Sequence, residues 1–242
     1  MKLIVIGDST SGTKLGQLPE EDTQGWAEHL SHIVDQDVCK TENSCRVGWG
    51  IRDFFNRKVN LIDSVTGKLD EDDIMLASFG TLERCPLSRN DFGARGSLPG
   101  MGKESQIVYD EHYKVEYTVY TFGEYLRMLA DKVKARKAKL FLISQIPRNT
   151  WENGMHKRTY SREYSIIMRA IAEEKNVGYL DANELLSLFL DSAGEERSKY
   201  YYSPKDKAHT TSLGANFFAH IIMSQLKLKY PEDFKFVYGN KP

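Results

Sequence analysis

KLIVIGDST, residues Lys2 to Thr10, runs from an unbroken apolar segment straight into a tight polar turn. Leu3 to Ile6 show no polar alternation, which is the pattern of a strand covered on both faces and so of a parallel sheet between helices. Gly7 and Asp8 suffice to make the turn that must follow. Ser9 adds nothing to turning the chain. Taken alone it can cap a following helix; as a hydroxyl set at the end of the first strand, it is also a candidate nucleophile.

Outward from this stretch, the same alternation of strand and helix continues. DVCKTENSCRV supplies a second strand, DDIMLASFG a third, AKLFLISQI a fourth and VGYL a fifth. Between them lie GWAEHLSHIVD, with Trp26, Leu30 and Ile33 on one helical face, the short helix IRDFFN, TFGEYLRMLADKVKARK, and YSREYSIIMRAIAEEK. ANELLSLFL and TSLGANFFAHIIMSQLKL follow the last strand. Near-continuous apolar strands separated by amphipathic helices predict a three-layer α/β/α domain, residues 1–242, around a five-stranded parallel sheet. The long stretch from Thr81 to Gln106 has no regular pattern and is too long for a mere connector.

Composition narrows the function classes. The chain has 242 residues, 40% of them hydrophobic, enough for one buried core. Its formal net charge of -1, from 33 basic and 34 acidic residues, supplies no overall field for nucleic acid or an anionic membrane. The basic run KVKARKAK, Lys132 to Lys139, closes a helical pattern and reads as a solvated face. The three cysteines (Cys39, Cys45 and Cys85) form neither a zinc spacing nor a disulfide framework. No cluster has metal-ligand spacing, so neither metal nor cofactor is expected. MKLIVIGD has no cleavage site and no apolar run is long enough to span a bilayer, so a cytoplasmic location is expected.

In a parallel sheet, ligands bind beyond the carboxyl ends of the strands. Ser9 follows the first strand, Gly48 and Gly50 the second, Gly80 to Glu83 the third, and Pro147, Arg148 and Trp151 the fourth. Asp206 and His209 lie in the loop before the last helix. Serine, histidine and aspartate on one rim are the constellation of a serine hydrolase.

GDST together with DKAHTTSLGA resembles the GDSL, or SGNH, hydrolases. GWAEHL, RGSLPGMGKESQ, TFGEYLR, SQIPRNTW and HTTSLGA are similar to the rhamnogalacturonan acetylesterase branch of that family. The resemblance implies a flavodoxin-like fold, with Ser9 as nucleophile, His209 as general base and Asp206 as its orienting acid. It implies backbone N–H donors to an oxyanion at Ser9 and Gly48, with Gly50 as the alternative because RVGWG aligns either way. It also implies metal-free removal of acetyl groups from pectic sugars. A broader esterase of small acyl esters is the first alternative.

One block departs from the family pattern. Where the family has G-x-N-D, with the asparagine donating to the oxyanion, this chain has FGTLE. Leu82 takes the asparagine position and cannot donate; Glu83 takes that of the aspartate. A sugar-binding member with little turnover is therefore the second alternative. Asn90, in the following loop, is a candidate replacement donor or an ordinary turn residue. On the substrate side, Arg148 can pair with a sugar carboxylate and Trp151 can stack on a pyranose ring, against plain solvent exposure and loop anchoring. Arg95 is likewise a substrate-side candidate or a structural ion-pair partner, His156 and Lys157 read as exposed loop residues, and Tyr200, Tyr201 and Tyr202 as two packing residues and one cleft residue.

Overall fold

The computed structural model describes residues 1–12, 23–56, 60–89, 95–158 and 162–238. Its sheet is built from β1 Lys2–Gly7, β2 Lys40–Asn43, β3 Ile74–Phe79, β4 Lys139–Ser144 and β5 Gly178–Leu180. The order is β5-β4-β3-β1-β2, every neighbouring pair is parallel, and Gly7 lies opposite Ser78. The expected five-stranded parallel sheet is present.

Successive strand residues point to opposite faces, which splits the apolar runs into two layers. Ile4, Ile6, Met75, Ala77, Leu140 and Leu142 pack beneath α1 Ile51–Asn56, α2 Leu61–Thr66, α3 Phe122–Ala135 and α4 Arg162–Lys175. Leu3, Val5, Ile74, Leu76, Phe141 and Ile143 pack beneath the Trp26–Ile33 segment, α5 Ala182–Ala193 and α6 Ser212–Lys229. Leu3 to Ile6 have no exposed surface, and burial of each such side chain contributes about 1.5–3 kcal/mol. Thr121, Asp181 and Thr211 cap α3, α5 and α6 by accepting the N–H three residues on, each worth about 1 kcal/mol.

The order reverses at β1. The chain moves out from β1 to β2, then crosses back to β3 on the other side of β1. Such a switch point opens a crevice between the two loops that leave β1 and β3. Those loops carry Ser9 and Gly80.

One local expectation needs correction, and two elements go beyond the sequence pattern. The segment around Trp26 is not one helix but a 3-10 turn, Trp26–His29, followed by a single turn, Leu30–Ile33; Trp26, Leu30 and Ile33 are buried nonetheless. Helix α2 was not anticipated. Nor was the antiparallel hairpin of Ser105–Asp110 and Val115–Tyr120. Its outer residues Ile107 and Tyr109 are exposed, and the inward Asp110 forms a buried ion pair with Arg95. The irregular stretch before it is held by a buried arginine, whose Nη1 donates to Leu87 O at 2.6 Å and Gly96 O at 3.0 Å; that residue is Arg52.

The basic run is matched by acidic neighbours: Lys132 pairs with Asp63, Lys137 with Glu71 and Lys139 with Asp233. Cys39, Cys45 and Cys85 are free thiols. Among the described residues, no helix is long and apolar enough to cross a membrane.

Candidate active site

The turn after β1 is closed by its own aspartate. Asp8 O accepts the N–H groups of Ser11 and Gly12, both at 3.1 Å. Its Oδ1 accepts Thr10 N at 2.8 Å and Thr10 Oγ1 at 2.7 Å. Gly7 is required because a Cβ there would sit 2.5 Å from Ser78 O. Ser9 rides on this turn, 8% exposed.

The loop before α6 is organised in the same way. Asp206 Oδ1 accepts the N–H groups of Ala208 at 2.6 Å and His209 at 2.8 Å. Ser203 N–H donates to His209 O at 2.9 Å, and Thr210–Thr211 pairs antiparallel with Thr23–Gln24. The result is an unbroken line: Asp206 Oδ2 lies 2.8 Å from His209 Nδ1, and His209 Nε2 lies 2.8 Å from Ser9 Oγ. Burial works against the Asp206 carboxylate, but the N–H of His209, its imidazole and the N–H of Ala208 together hold its pKa below the usual value. An ionised acid that orients an imidazole within reach of a hydroxyl is an arrangement able to move a proton off that hydroxyl.

Among the described residues, two N–H groups stand without an acceptor in the turns that follow β1 and β2. Ser9 N–H donates to no acceptor among the described residues, nor does Gly48 N–H. Gly48 sits at φ +71 in a turn closed by Trp49 N–H to Arg46 O at 3.3 Å, and Arg46 N–H donates to Gly7 O at 2.9 Å. Positive φ there favours glycine. Gly50 N–H, by contrast, donates to Asp53 Oδ2 at 3.1 Å. Among the described residues, Gly50 N–H thus has an acceptor and Gly48 N–H has none.

At the end of β3, Gly80 has φ +121. The Glu83 carboxylate folds back over this loop. Its Oε2 accepts Gly80 N–H at 2.8 Å and Leu82 N–H at 3.0 Å, and its Oε1 accepts Ile51 N–H at 3.1 Å. Burial pushes the Glu83 carboxyl up to about 7, against the Ile51 N–H and with the charge of Asp8 adding to the rise. Burial also raises the Asp8 carboxyl. The half-buried Leu82 places its Cβ 3.7 Å from where a Cβ on Gly50 would stand.

No protein-family model matches the chain. A rhamnogalacturonan acetylesterase of Emericella nidulans is 26% identical over 218 residues, which is 90% of this chain and 81% of that protein. An uncharacterized esterase of Bacillus subtilis, YxiM, is 23% identical over 228 residues; this chain spans about half of it, 52%. The crystal structure of YxiM superposes with a TM-score of 0.74 at 21% identity, covering 96% of this chain and 58% of that one. A variant of an acetyl-xylooligosaccharide esterase of Geobacillus stearothermophilus superposes with a TM-score of 0.58 at 16% identity and 93% coverage of each chain.

The chain is similar in sequence to rhamnogalacturonan acetylesterases and shares the α/β fold of the GDSL/SGNH esterase structures. It is an ester hydrolase.

In this hydrolase the loop after β4 is fastened to the Asp206–His209 loop. Asn149 N–H donates to Lys207 O at 2.7 Å, and the buried Tyr202 donates its hydroxyl to Pro147 O at 2.7 Å. Arg148 and Trp151 therefore stand beside the loop that carries the histidine. Trp151 is half-buried, its Nε1 donates to Asn149 Oδ1 at 2.7 Å and Ser198 Oγ at 3.2 Å, and it packs on the core, which is the anchoring role.

The remaining expectations divide. Arg95 is a structural partner of Asp110, with its guanidinium 5.2 Å from the Tyr113 ring centroid. Tyr202 is core, Tyr201 packs on Phe217 and Phe189, and Tyr200 is exposed. His156 is not an exposed loop residue: it is buried, with Nε2 2.7 Å from Arg148 O and its N–H donating to Asp191 Oδ1 at 2.7 Å. Asn90 lies outside the described residues. The residue the sequence reading treated only as a replacement, Glu83, gathers three backbone N–H groups; its acidic character next to a strand end was the available signal.

Proposed function

We propose that this chain is a serine acetylesterase acting on carbohydrate, and specifically on pectin-derived, rhamnogalacturonan-type oligosaccharide. The observation that carries the reading is the hydrogen-bonded line from Asp206 through His209 to Ser9, beside the unengaged N–H groups of Ser9 and Gly48. The acetyl relatives, with their substrates named in their own descriptions, support the acyl group and the sugar class.

In this mechanism Ser9 Oγ attacks the acetyl carbonyl carbon while His209 Nε2 takes the hydroxyl proton. The negative charge that develops on the carbonyl oxygen is met by the N–H groups of Ser9 and Gly48. Collapse breaks the bond to the sugar oxygen, which leaves with the proton from His209. Water then attacks the acetyl-Ser9 ester, His209 takes one proton from it, and acetate departs as Ser9 recovers its hydroxyl. Asp206 holds the imidazole in its tautomer throughout. Arg148, on the loop fastened to Lys207, is suited to a galacturonate carboxylate, and Trp151 lines the same loop.

A sugar-binding protein with little turnover is the competing reading, favoured by one observation: Leu82 offers no side-chain donor. Hydrolysis of p-nitrophenyl acetate by wild type and Ser9→Ala separates the two. Turnover lost in a folded Ser9→Ala is the expected result; an inactive wild type, or an active Ser9→Ala, overturns the esterase reading. Acetate release from acetylated rhamnogalacturonan oligosaccharides, compared with acetylated xylan oligosaccharides, tests the sugar class. Preference for xylan defeats the pectic assignment.

A further inference from the structure

The Glu83 carboxylate spans two segments that are otherwise separate in the chain. Ile51 opens α1, three residues after Gly48. Gly80 and Leu82 belong to the loop that ends β3. Oε1 holds the first segment and Oε2 the second, at 2.8 to 3.1 Å. The space between is closed: a Cβ on Gly50 would come within 3.1 Å of Glu83 Oε1. Glu83 itself is 2% exposed, so water does not compete for these bonds.

We propose that Glu83 is a positioning residue for hydrolysis, its ionised carboxylate fixing the Gly48 turn against the β3 loop so that the oxyanion donors are spaced for the transition state. The proposal rests on the serine-esterase reading. The carboxylate contacts no reacting atom and acts through the backbone it holds.

Geometry makes its charge state matter. An ionised carboxylate accepts from all three N–H groups, whereas a neutral acid carries a proton on one oxygen and must turn that proton toward a donor or give up the bond. Oε1 accepts a single bond, from Ile51, while Oε2 accepts two, from Gly80 and Leu82. The groups facing Glu83 are mostly acidic or neutral: Asp8 from the end of β1, Cys85 from its own loop, and Tyr164 from α4, with Arg84 beyond it. None of them stabilises the negative form as a direct partner, and burial carries the group up to about 7. The brace is therefore lost as pH falls through that value.

The test is the kinetics of the full chain on p-nitrophenyl acetate from about pH 5 to about pH 9. Ser9→Ala is the control for the underlying reading: if it turns over, or wild type does not, that reading falls and Glu83 has nothing to position. With that control satisfied, a folded Glu83→Gln is expected to lose roughly tenfold to a hundredfold in kcat, with KM within about twofold. Glu83→Asp keeps the charge but shortens the reach to Ile51, and its kcat should fall between the two. On the acid side, the wild-type rate is expected to show a one-proton loss that Glu83→Gln lacks. A folded Glu83→Gln with wild-type kcat, or a loss confined to KM, overturns the proposal. If Glu83→Gln does not fold, a Glu83→Asp whose kcat and acid limb match wild type overturns it instead.

Discussion

Leu82→Asn adds back a donor that the FGTLE loop lacks, and its effect can be sized beforehand. The backbone at this position is already held, because Leu82 N–H donates to Glu83 Oε2 at 3.0 Å. The side chain is half-buried beside Gly50, so an asparagine of similar branching fits without a new cavity. Exchange of a half-buried leucine for a polar group costs about 1 kcal/mol of stability. In return, one oxyanion donor is worth about 10²–10³ in turnover, or roughly 3–4 kcal/mol, when fully preorganised. An asparagine without its own supporting contacts realises part of that. The expected gain is therefore about ten- to a hundredfold in kcat on an acetyl ester, equivalent to about 1.4–2.7 kcal/mol, with KM nearly unchanged because the donor acts on charge present only in the transition state. The assay is steady-state kinetics of wild type and variant on one acetyl ester, with a melting curve for each. A folded Leu82→Asn that gains nothing over a slow wild type refutes the missing-donor argument.

Other outcomes follow from the same geometry. His209→Ala should abolish turnover while leaving the melting curve close to wild type, since the residue sits on an open rim; Asp206→Asn should be milder, because the acid orients the base without reacting. Stability should fall as pH rises through Glu83: its folded pKa of about 7 lies above the ordinary 4.5, so the contribution is present below about 4.5 and lost by about 7. The loss is about 3 kcal/mol, and urea unfolding of Glu83→Gln at the two ends of that window should lack it. Gly48→Ala meets no atom within 4 Å of the new Cβ, yet φ +71 disfavours it; about 1–2 kcal/mol of strain should appear in the melting curve together with a lower kcat.

What the sequence discloses and what it conceals follow the range of the interactions concerned. β1 is legible because Leu3 to Ile6 are all buried, and burial leaves its mark in residue type. Ser9, Asp206 and His209 are legible as candidates because each is a reactive type at a strand end or in the last loop, where such residues face the rim. The hairpin of Ser105–Asp110 and Val115–Tyr120 is not, since Ile107 and Tyr109 break the apolar-inward rule and its inward Asp110 depends on Arg95. His156 is equally hidden: GMHKR reads as surface, and only Asp191 and the Arg148 carbonyl, brought together by folding, make burial tolerable. Glu83 was visible as an acid, but its three N–H partners include Ile51, which no local pattern connects to it.

The hydrogen bond between Ser9 and His209 joins residues 200 positions apart. During synthesis Ser9 emerges 200 residues before the histidine that faces it. Contacts this distant in sequence form late, after nearer ones have condensed. On the proposed mechanism, hydrolytic competence is thus withheld until α6 docks and carries the Asp206–His209 loop to the rim. A nascent or stalled chain lacking that segment holds a serine with no partner to activate it, and the appearance of activity marks the completion of folding.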